Sequence, residues 1–150
     1  MYKDALRAAW AEINITNLDF NIKQIKEKVG SGVKITGVVK ADAYGHGSVR
    51  VATVLRANGI ESFAVATLSE AVRLRKAGFL LEEIMVLSPI PEPYIDTIIE
   101  HRLSPVVCDY KNAEAISKAA AAAGIIIKGY IAVDTGMGRI GYSDDVTSVE

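Results

Sequence analysis

The chain alternates short apolar runs with longer segments in which apolar residues recur every three or four positions. The apolar runs predict buried strands over residues 34–40, 62–66, 84–87, 105–108 and 125–133. The periodic segments predict helices from a cap at Thr16 or Asn17 to Gly30, and over residues 48–58, 68–76, 92–101 and 111–123. Strand and helix therefore follow one another along almost the whole chain.

Residues 8–15 follow a different pattern, because Trp10, Ile13 and Ile15 stand among polar neighbours. An alternation of apolar and polar residues is typical of a half-buried strand. We expect one extra amino-terminal strand ahead of the regular units.

Apolar strands that alternate with helices form right-handed parallel units. Such units build either an open doubly wound sheet or a closed eight-stranded barrel, and the pattern does not distinguish the two. A closed barrel needs at least about 200 residues, whereas this sequence has 150. For a barrel, we expect the amino-terminal part of a longer protein or a shortened homologue, with an exposed strand edge and apolar face.

Composition excludes several classes of function. Hydrophobic residues make up 50% of the sequence, charged residues 23%, and the net charge is -1, which indicates no nucleic-acid partner and a small ligand. Residues 1–12 carry charges and no long apolar core, so the sequence predicts no ordinary secretory signal there. No apolar run approaches the roughly 20 residues that a membrane-spanning helix needs. The single cysteine, Cys108, is expected to be a buried thiol in a reducing cytoplasm.

Candidate chemistry lies at the end of the first predicted strand. Residues 38–47 read Val-Val-Lys-Ala-Asp-Ala-Tyr-Gly-His-Gly, so that Lys40 ends an apolar run and Tyr44 follows in a glycine-flanked turn. An amine that loses hydration at a strand end is more readily neutral and can condense with a carbonyl. A tyrosine hydroxyl can bind a phosphate, so the pair suggests pyridoxal 5'-phosphate (PLP). The alternative is a strand-end lysine before a tight turn.

These ten residues resemble the cofactor-lysine signature of the alanine racemases, without any departure. Residues 133–141, Val-Asp-Thr-Gly-Met-Gly-Arg-Ile-Gly, resemble the arginine-bearing loop of that family, and residues 66–78 resemble its third barrel helix. The resemblance implies a PLP-binding (β/α)8, or TIM-type, barrel. Residues 1–150 would supply about its first five strands, and the rest of the barrel and a mainly β carboxyl-terminal domain would lie outside them.

The resemblance also implies roles for named residues. Lys40 would hold PLP as an internal aldimine and exchange the α-proton on the face of the D enantiomer. Tyr44 would bind the cofactor phosphate, and Arg139 would contact the substrate carboxylate and the phenolic oxygen of the cofactor. Asp42 and His46 would fix the turn or lie behind the residues that contact the ligand, and would not titrate in catalysis. The second base of the family is a tyrosine from the other subunit, which implies a homodimer, and no residue of this chain corresponds to it.

One position departs from the family. Many members carry a lysine, often carbamylated, immediately before the Val-Asp-Thr stretch, where it orients the arginine. Ala132 occupies that position here. We therefore expect Arg139 to need another partner, which could be an anion.

The function implied by the resemblance is the interconversion of L-alanine and D-alanine for bacterial peptidoglycan, in the cytoplasm. A racemase for serine or another amino acid on the same scaffold is the nearest alternative. A PLP-dependent decarboxylase of the same barrel type is disfavoured by the turn after Lys40. A non-catalytic PLP-binding fragment stays open, because the second base is not in the chain. No metal ligand set is predicted.

Overall fold

The structure, a computed structural model, describes residues 9–143. Its right-handed helices are α1 (Ile15–Val29), α2 (Ser48–Ala57), α3 (Leu68–Lys76), α4 (Ile95–Glu100) and α5 (Tyr110–Ala122). Its strands are β1 (Gly37–Val38), β2 (Ser62–Val65), β3 (Glu83–Val86), β4 (Ser104–Val107), β5 (Tyr130–Ile131), β6 (Val133–Asp134) and β7 (Tyr142–Ser143). A left-handed turn, Lys40–Tyr44, follows β1, and a 3-10 turn, Glu92–Tyr94, precedes α4. Within the described residues, no helix is both long and apolar enough to cross a membrane.

Strands β1 to β5 form one parallel sheet in the order in which they occur along the chain. A doubly wound sheet reverses its strand order at a switch point, whereas a TIM-type barrel adds each new strand next to the last. The sequential order therefore decides between the two architectures that the hydrophobic pattern left open. The described chain forms part of a barrel, and β6 and β7 make a separate parallel pair.

The core lies between the sheet and the helices that cover it. Its largest fully buried side chains include Phe63 of β2, Ile84 of β3 and Leu74 of α3. The rings of Phe63 and Phe79 meet edge to face, with their centres 5.4 Å apart. Such aromatic pairs add to the free energy gained by burying their area. This core fixes β2, β3 and α3 relative to one another.

Arg75 of α3 is buried within this layer although it is charged. Its guanidinium donates hydrogen bonds to the backbone oxygens of Phe79, Glu82, His101 and Arg102 at 2.5 to 2.8 Å. Burial lowers the pKa of Arg75, and the four oxygens replace the water that the guanidinium loses. Arg75 thereby ties the loop after α3 to the loop after α4.

The amino-terminal segment differs from the prediction in two ways. Residues 9–14 form no strand and Ile15 already belongs to α1, so the predicted extra strand is wrong over the described residues, while Ala8 lies outside them. An isolated strand lacks backbone partners, and the described chain pairs none with this segment. The residue that caps α1 is Asn14 and not Thr16 or Asn17 as predicted. Its Oδ1 accepts the Asn17 N–H at 3.0 Å.

Both edges of the sheet expose apolar side chains. Val38 of β1 is 56% exposed and Ile131 of β5 is 62% exposed. A groove of about 660 Å³ runs beside α5 and β5 and is lined by residues such as Ile116, Ile125 and Ile127. The predicted strand over residues 125–133 is reduced to the short β5 and β6. These features confirm the expected open edge and apolar face of an incomplete barrel.

Candidate functional site

The carboxyl ends of the parallel strands meet at one edge of the sheet, where barrel enzymes carry their chemistry. Lys40 follows β1 at this edge, and the glycine loop of residues 135–141 follows β6 of the separate strand pair. The Lys40 side chain is half-buried. Among residues 9–143 no hydrogen bond or ion pair involves its amine, so the amine is available to a ligand.

Lys40 begins a turn with an unusual backbone. Ala41, Asp42, Ala43 and Tyr44 have φ angles of 50°, 53°, 52° and 51°. Each non-glycine residue in this left-handed region costs roughly 1–2 kcal/mol. Strained backbone of this kind persists only where surrounding contacts hold it, and it concentrates at functional sites. The contacts that hold this turn therefore belong to the site.

Glu70 of α3 supplies the first of these contacts. Its Oε1 accepts the Ala41 N–H at 2.7 Å, and its Oε2 accepts the N–H groups of Ala66 and Thr67 at 2.7 and 3.1 Å. The Thr67 hydroxyl accepts the Glu70 N–H at 3.4 Å, which completes a capping box at the start of α3. One carboxylate thus joins the residue after Lys40 to the end of β2.

Asp42 and His46 supply contacts within the turn, as the sequence predicts. Oδ1 of Asp42 accepts the N–H of Ser48 at 2.8 Å and its hydroxyl at 3.0 Å, and it lies 3.4 Å from Arg73 of α3. The bond from the Ser48 N–H is the main cause that lowers the pKa of Asp42. Nδ1 of His46 lies 3.0 Å from the Ala43 oxygen. Both side chains hold the turn.

Tyr44 ends the left-handed turn and is 73% exposed. No hydrogen bond to its hydroxyl is found in the part of the chain that the structure describes. The structure therefore brings Lys40 and Tyr44 together on one turn, with an amine and a hydroxyl that are both open to a ligand.

Arg139 lies in the glycine loop between β6 and β7. Asp134 Oδ1 accepts the N–H groups of Gly136 and Gly138, both at 3.0 Å, and these bonds lower the pKa of Asp134. Gly141 has a φ of 114°, and a Cβ there would lie 2.9 Å from the Ala132 oxygen, so the loop requires glycine at this position. The Asp134 carboxylate and the close approach of the backbone at Gly141 fix the loop.

The Arg139 side chain itself is exposed. It has no hydrogen-bond or ion-pair partner within residues 9–143. Ala132, at the position of the usual family lysine, makes backbone bonds only, to Val107 and Tyr142. The need of Arg139 for another partner stays a prediction. Lys40 follows β1 of the five-stranded sheet, whereas Arg139 lies on the loop between β6 and β7 of the separate strand pair, and no hydrogen bond or ion pair within the described chain joins the two residues.

The single cysteine also lies at the carboxyl end of a strand. Cys108 lies just after β4 and is 8% exposed, which confirms the predicted burial. Burial and the charge of Asp109 raise the pKa of its thiol, which disfavours the nucleophilic thiolate.

Glu70 and Arg73 were not among the predicted site residues. The Thr67-x-x-Glu70 spacing is the sequence signature of a capping box and could have identified Glu70.

The available groups fit PLP in their chemistry. The free amine of Lys40 can bond to an aldehyde carbon, and a phenolic hydroxyl such as that of Tyr44 can donate to phosphate. A guanidinium such as that of Arg139 offers fixed donors to anionic oxygens. No group in this set conflicts with that cofactor.

Comparison with known proteins identifies the family that the chain resembles. The model of the family "Alanine racemase, N-terminal domain" matches residues 13–149. The alanine racemase of Clostridium kluyveri is 49% identical to the chain over 144 residues, which are 96% of this chain and 36% of that relative. The chain therefore spans little more than a third of the length of that relative.

Solved structures show the same likeness. An alanine racemase of Clostridium difficile in complex with cycloserine superimposes with a TM-score of 0.89 at 35% identity, covering 97% of this chain and 40% of that one. A histidine racemase from Leuconostoc mesenteroides subsp. sake gives a TM-score of 0.76 at 29% identity, covering 86% of this chain and 34% of that one.

Proposed function

The chain belongs to the alanine racemase family, whose amino-terminal domain it matches, and from that premise we propose that the protein interconverts L-alanine and D-alanine with PLP. The observation that carries the proposal is the half-buried Lys40 amine, which stands without a partner among residues 9–143 on a turn fixed by other side chains. When bound, PLP accepts the electron pair left at the α carbon after its proton is removed.

Lys40 has two roles in this proposal. Its amine would hold the cofactor covalently, and the same amine would move the α-proton on one face of the amino acid. Tyr44, on the same turn as Lys40, would donate a hydrogen bond from its hydroxyl to the cofactor phosphate.

Arg139 binds the substrate carboxylate through its guanidinium. The bonds from Gly136 and Gly138 to Asp134 hold the loop that presents it. With alanine at position 132, the orientation of Arg139 depends on this loop and on a partner outside the described residues.

The rest of the active site belongs to the longer protein. We propose that the remaining barrel strands and a carboxyl-terminal β domain complete it, with a second base donated across a homodimer to the opposite face of the substrate. Inversion requires acid–base groups on both faces, and residues 9–143 supply only one. A cytoplasmic enzyme that supplies D-alanine for peptidoglycan is part of the same proposal.

A racemase for another amino acid is the second candidate. The observation in its favour is the likeness to a histidine racemase, because one domain architecture occurs in proteins named for two different amino acids. We place alanine first because the relative at 49% identity is named alanine racemase.

Reductive labelling tests the proposal. The full-length protein is mixed with PLP and reduced with borohydride, and the labelled lysine is identified by peptide mapping. We expect a single label at Lys40, which Lys40→Ala abolishes and the exposed-lysine control Lys76→Ala leaves intact. Exchange of the L-alanine α-proton in heavy water, followed by NMR, is expected to fall by about 10³-fold in Lys40→Ala.

The outcomes separate the candidates. An unlabelled Lys40 contradicts the proposal. A label at Lys40 without α-proton exchange on any amino acid indicates a non-catalytic PLP-binding protein. Exchange that is faster with serine or histidine than with alanine favours the second candidate.

A further inference from the structure

We propose that Glu70 is a positioning residue for the Lys40 amine and acts through its hydrogen bond with the Ala41 N–H. The inference rests on the proposed cofactor role of Lys40. It assigns to the first turn of α3 a function beyond helix capping.

The Ala41 N–H belongs to the peptide group that begins at the Lys40 carbonyl carbon. Holding that N–H therefore fixes the ψ angle of Lys40. Glu70 Oε1 makes this bond at 2.7 Å, while Oε2 is held by Ala66 and Thr67 at the end of β2. The carboxylate is a rigid bridge between the carboxyl ends of β1 and β2. It sets the direction in which Lys40 leaves the sheet.

The chemistry of the bridge requires a carboxylate. Three N–H donors converge on the two oxygens of Glu70, and an ionised carboxylate is acceptor-only. A glutamine has one oxygen and one NH2 group, so it can keep the bonds near Thr67 but then turns a donor towards the Ala41 N–H. A capping box accepts either residue at this position. The requirement for glutamate over glutamine therefore comes from Ala41 and not from the helix.

The Glu70 carboxylate contacts the first residue of the strained left-handed turn. Ala41 is the first of four consecutive residues with positive φ, and Asp42 is held separately by Ser48 and Arg73. Glu70 thus holds the entry of the left-handed turn, while Asp42 holds its middle. Loss of the entry contact frees the peptide group next to Lys40 and leaves the rest of the turn in place.

Two substitutions separate positioning from helix capping. Glu70→Gln removes the acceptor for Ala41 and keeps the capping box. Thr67→Ala removes the hydroxyl that accepts the Glu70 N–H and keeps the bond from Ala41. Each variant is measured in the full-length protein by amide hydrogen exchange without cofactor, and by the rate at which PLP and borohydride label Lys40 relative to other lysines.

We expect Glu70→Gln to increase exchange at the Ala41 amide about tenfold, as the loss of a hydrogen bond to a charged group implies, and to slow selective Lys40 labelling about tenfold. We expect Thr67→Ala to increase exchange in the first turn of α3 and to leave Lys40 labelling unchanged. A Glu70→Gln protein that labels Lys40 at the unsubstituted rate overturns the inference. Equal slowing by Thr67→Ala also overturns it, because capping alone then explains the effect.

The test distinguishes failure of this inference from failure of the proposed function. No label at Lys40 in the unsubstituted protein rejects the proposed function and the positioning role with it. A normal Lys40 label that does not respond to Glu70→Gln rejects the positioning role alone.

Discussion

The amino and carboxyl ends of the sheet differ in whether their key charged side chains have partners. At the amino end, Glu83 at the start of β3 accepts bonds from Lys34 at 2.8 Å, Lys128 at 2.7 Å and the Tyr130 hydroxyl at 2.5 Å. At the carboxyl end, the amine of Lys40 and the guanidinium of Arg139 have no partner within residues 9–143. The Glu83 cluster satisfies its charges internally, whereas the two cationic groups of Lys40 and Arg139 stay open to a ligand.

The amino-end cluster has the properties of a stabilising element. The Glu83 side chain is 13% exposed. Burial raises the pKa of Glu83, but bonds from Lys128, Lys34 and Tyr130 outweigh it and lower the value to about 2. The hydrogen bond to Glu83 raises the pKa of Lys128 to about 12. Both changes favour the charged forms, so the folded state is stabilised while the pair is ionised.

The same cluster spans the sheet. Lys34 lies before β1 and Lys128 before β5, so Glu83 of β3 reaches partners two strands away on either side. A curved sheet brings such distant strands towards one side chain, as in a closing barrel. The strained backbone of the left-handed turn lies at the opposite, carboxyl end of the sheet.

Paired charges therefore stabilise the scaffold at the amino end of the sheet, while the carboxyl end keeps the unpaired Lys40 amine and a strained backbone.

Substitution of Glu83 tests this division most strongly. Glu83→Gln removes the negative charge that Lys34, Lys128 and Tyr130 share and replaces one of its two acceptor oxygens with an NH2 group. We expect unfolding to become easier by about 2 kcal/mol, the scale of hydrogen bonds to charged groups. The two lysines are more than 60% exposed, so water limits the loss. The urea midpoint of the full-length protein measures it, and selective Lys40 labelling is expected to stay unchanged.

A matched control uses a surface pair of similar geometry. Glu114 and Lys118 on α5 lie 3.0 Å apart but are 47% and 72% exposed. Glu114→Gln is expected to change stability by less than about 0.5 kcal/mol. Equal effects of the two substitutions, or loss of Lys40 labelling in Glu83→Gln, would contradict the division between the ends.

Lowering the pH tests the contribution of Glu83 to stability gradually, and the expected effect is smaller. The pKa of Glu83 lies at about 2 in the folded state, below its ordinary value of 4.5. Its stabilisation is therefore fully present above pH 4.5 and is lost as the pH falls from 4.5 towards 2. The difference in urea midpoint between the unsubstituted protein and Glu83→Gln should shrink over that interval. A difference that stays constant from pH 6 to pH 2.5 would show that the charge of Glu83 is not its cause.

Much of this contrast was readable along the sequence, but not all of it. Local patterns predicted Lys40 at the end of a strand, the helix at Leu68–Lys76 and the burial of Cys108, because each depends on neighbouring residues. The Glu83 cluster joins residues 45 or more positions apart, which only strand register brings together. The sequential strand order also needed the structure, since both parallel architectures share one pattern.

One wrong prediction and one feature that was not predicted have physical reasons as well. The alternation of Trp10, Ile13 and Ile15 predicted a strand, but a strand depends on a partner that the described residues do not offer. The left-handed turn has no local signal, because Ala41 and Ala43 favour right-handed helices in isolation. Contacts with Glu70, Ser48 and Arg73 override that preference. The sequence pointed to Lys40 as the candidate lysine, and tertiary contacts determine how the turn after it is held.

The smallest expected effect concerns the strain itself. Ala41 has φ 50° and ψ 45°, a conformation that glycine adopts without the Cβ penalty. We expect Ala41→Gly to stabilise the protein by about 0.5–1 kcal/mol after the entropy of the unfolded chain is counted. The same change at exposed Ala121, in the right-handed α5, should destabilise it by up to about 1 kcal/mol. Thermal unfolding of both variants measures the difference in sign. If both substitutions lower stability equally, the backbone after Lys40 is not strained and the contrast between the two ends rests on charge alone.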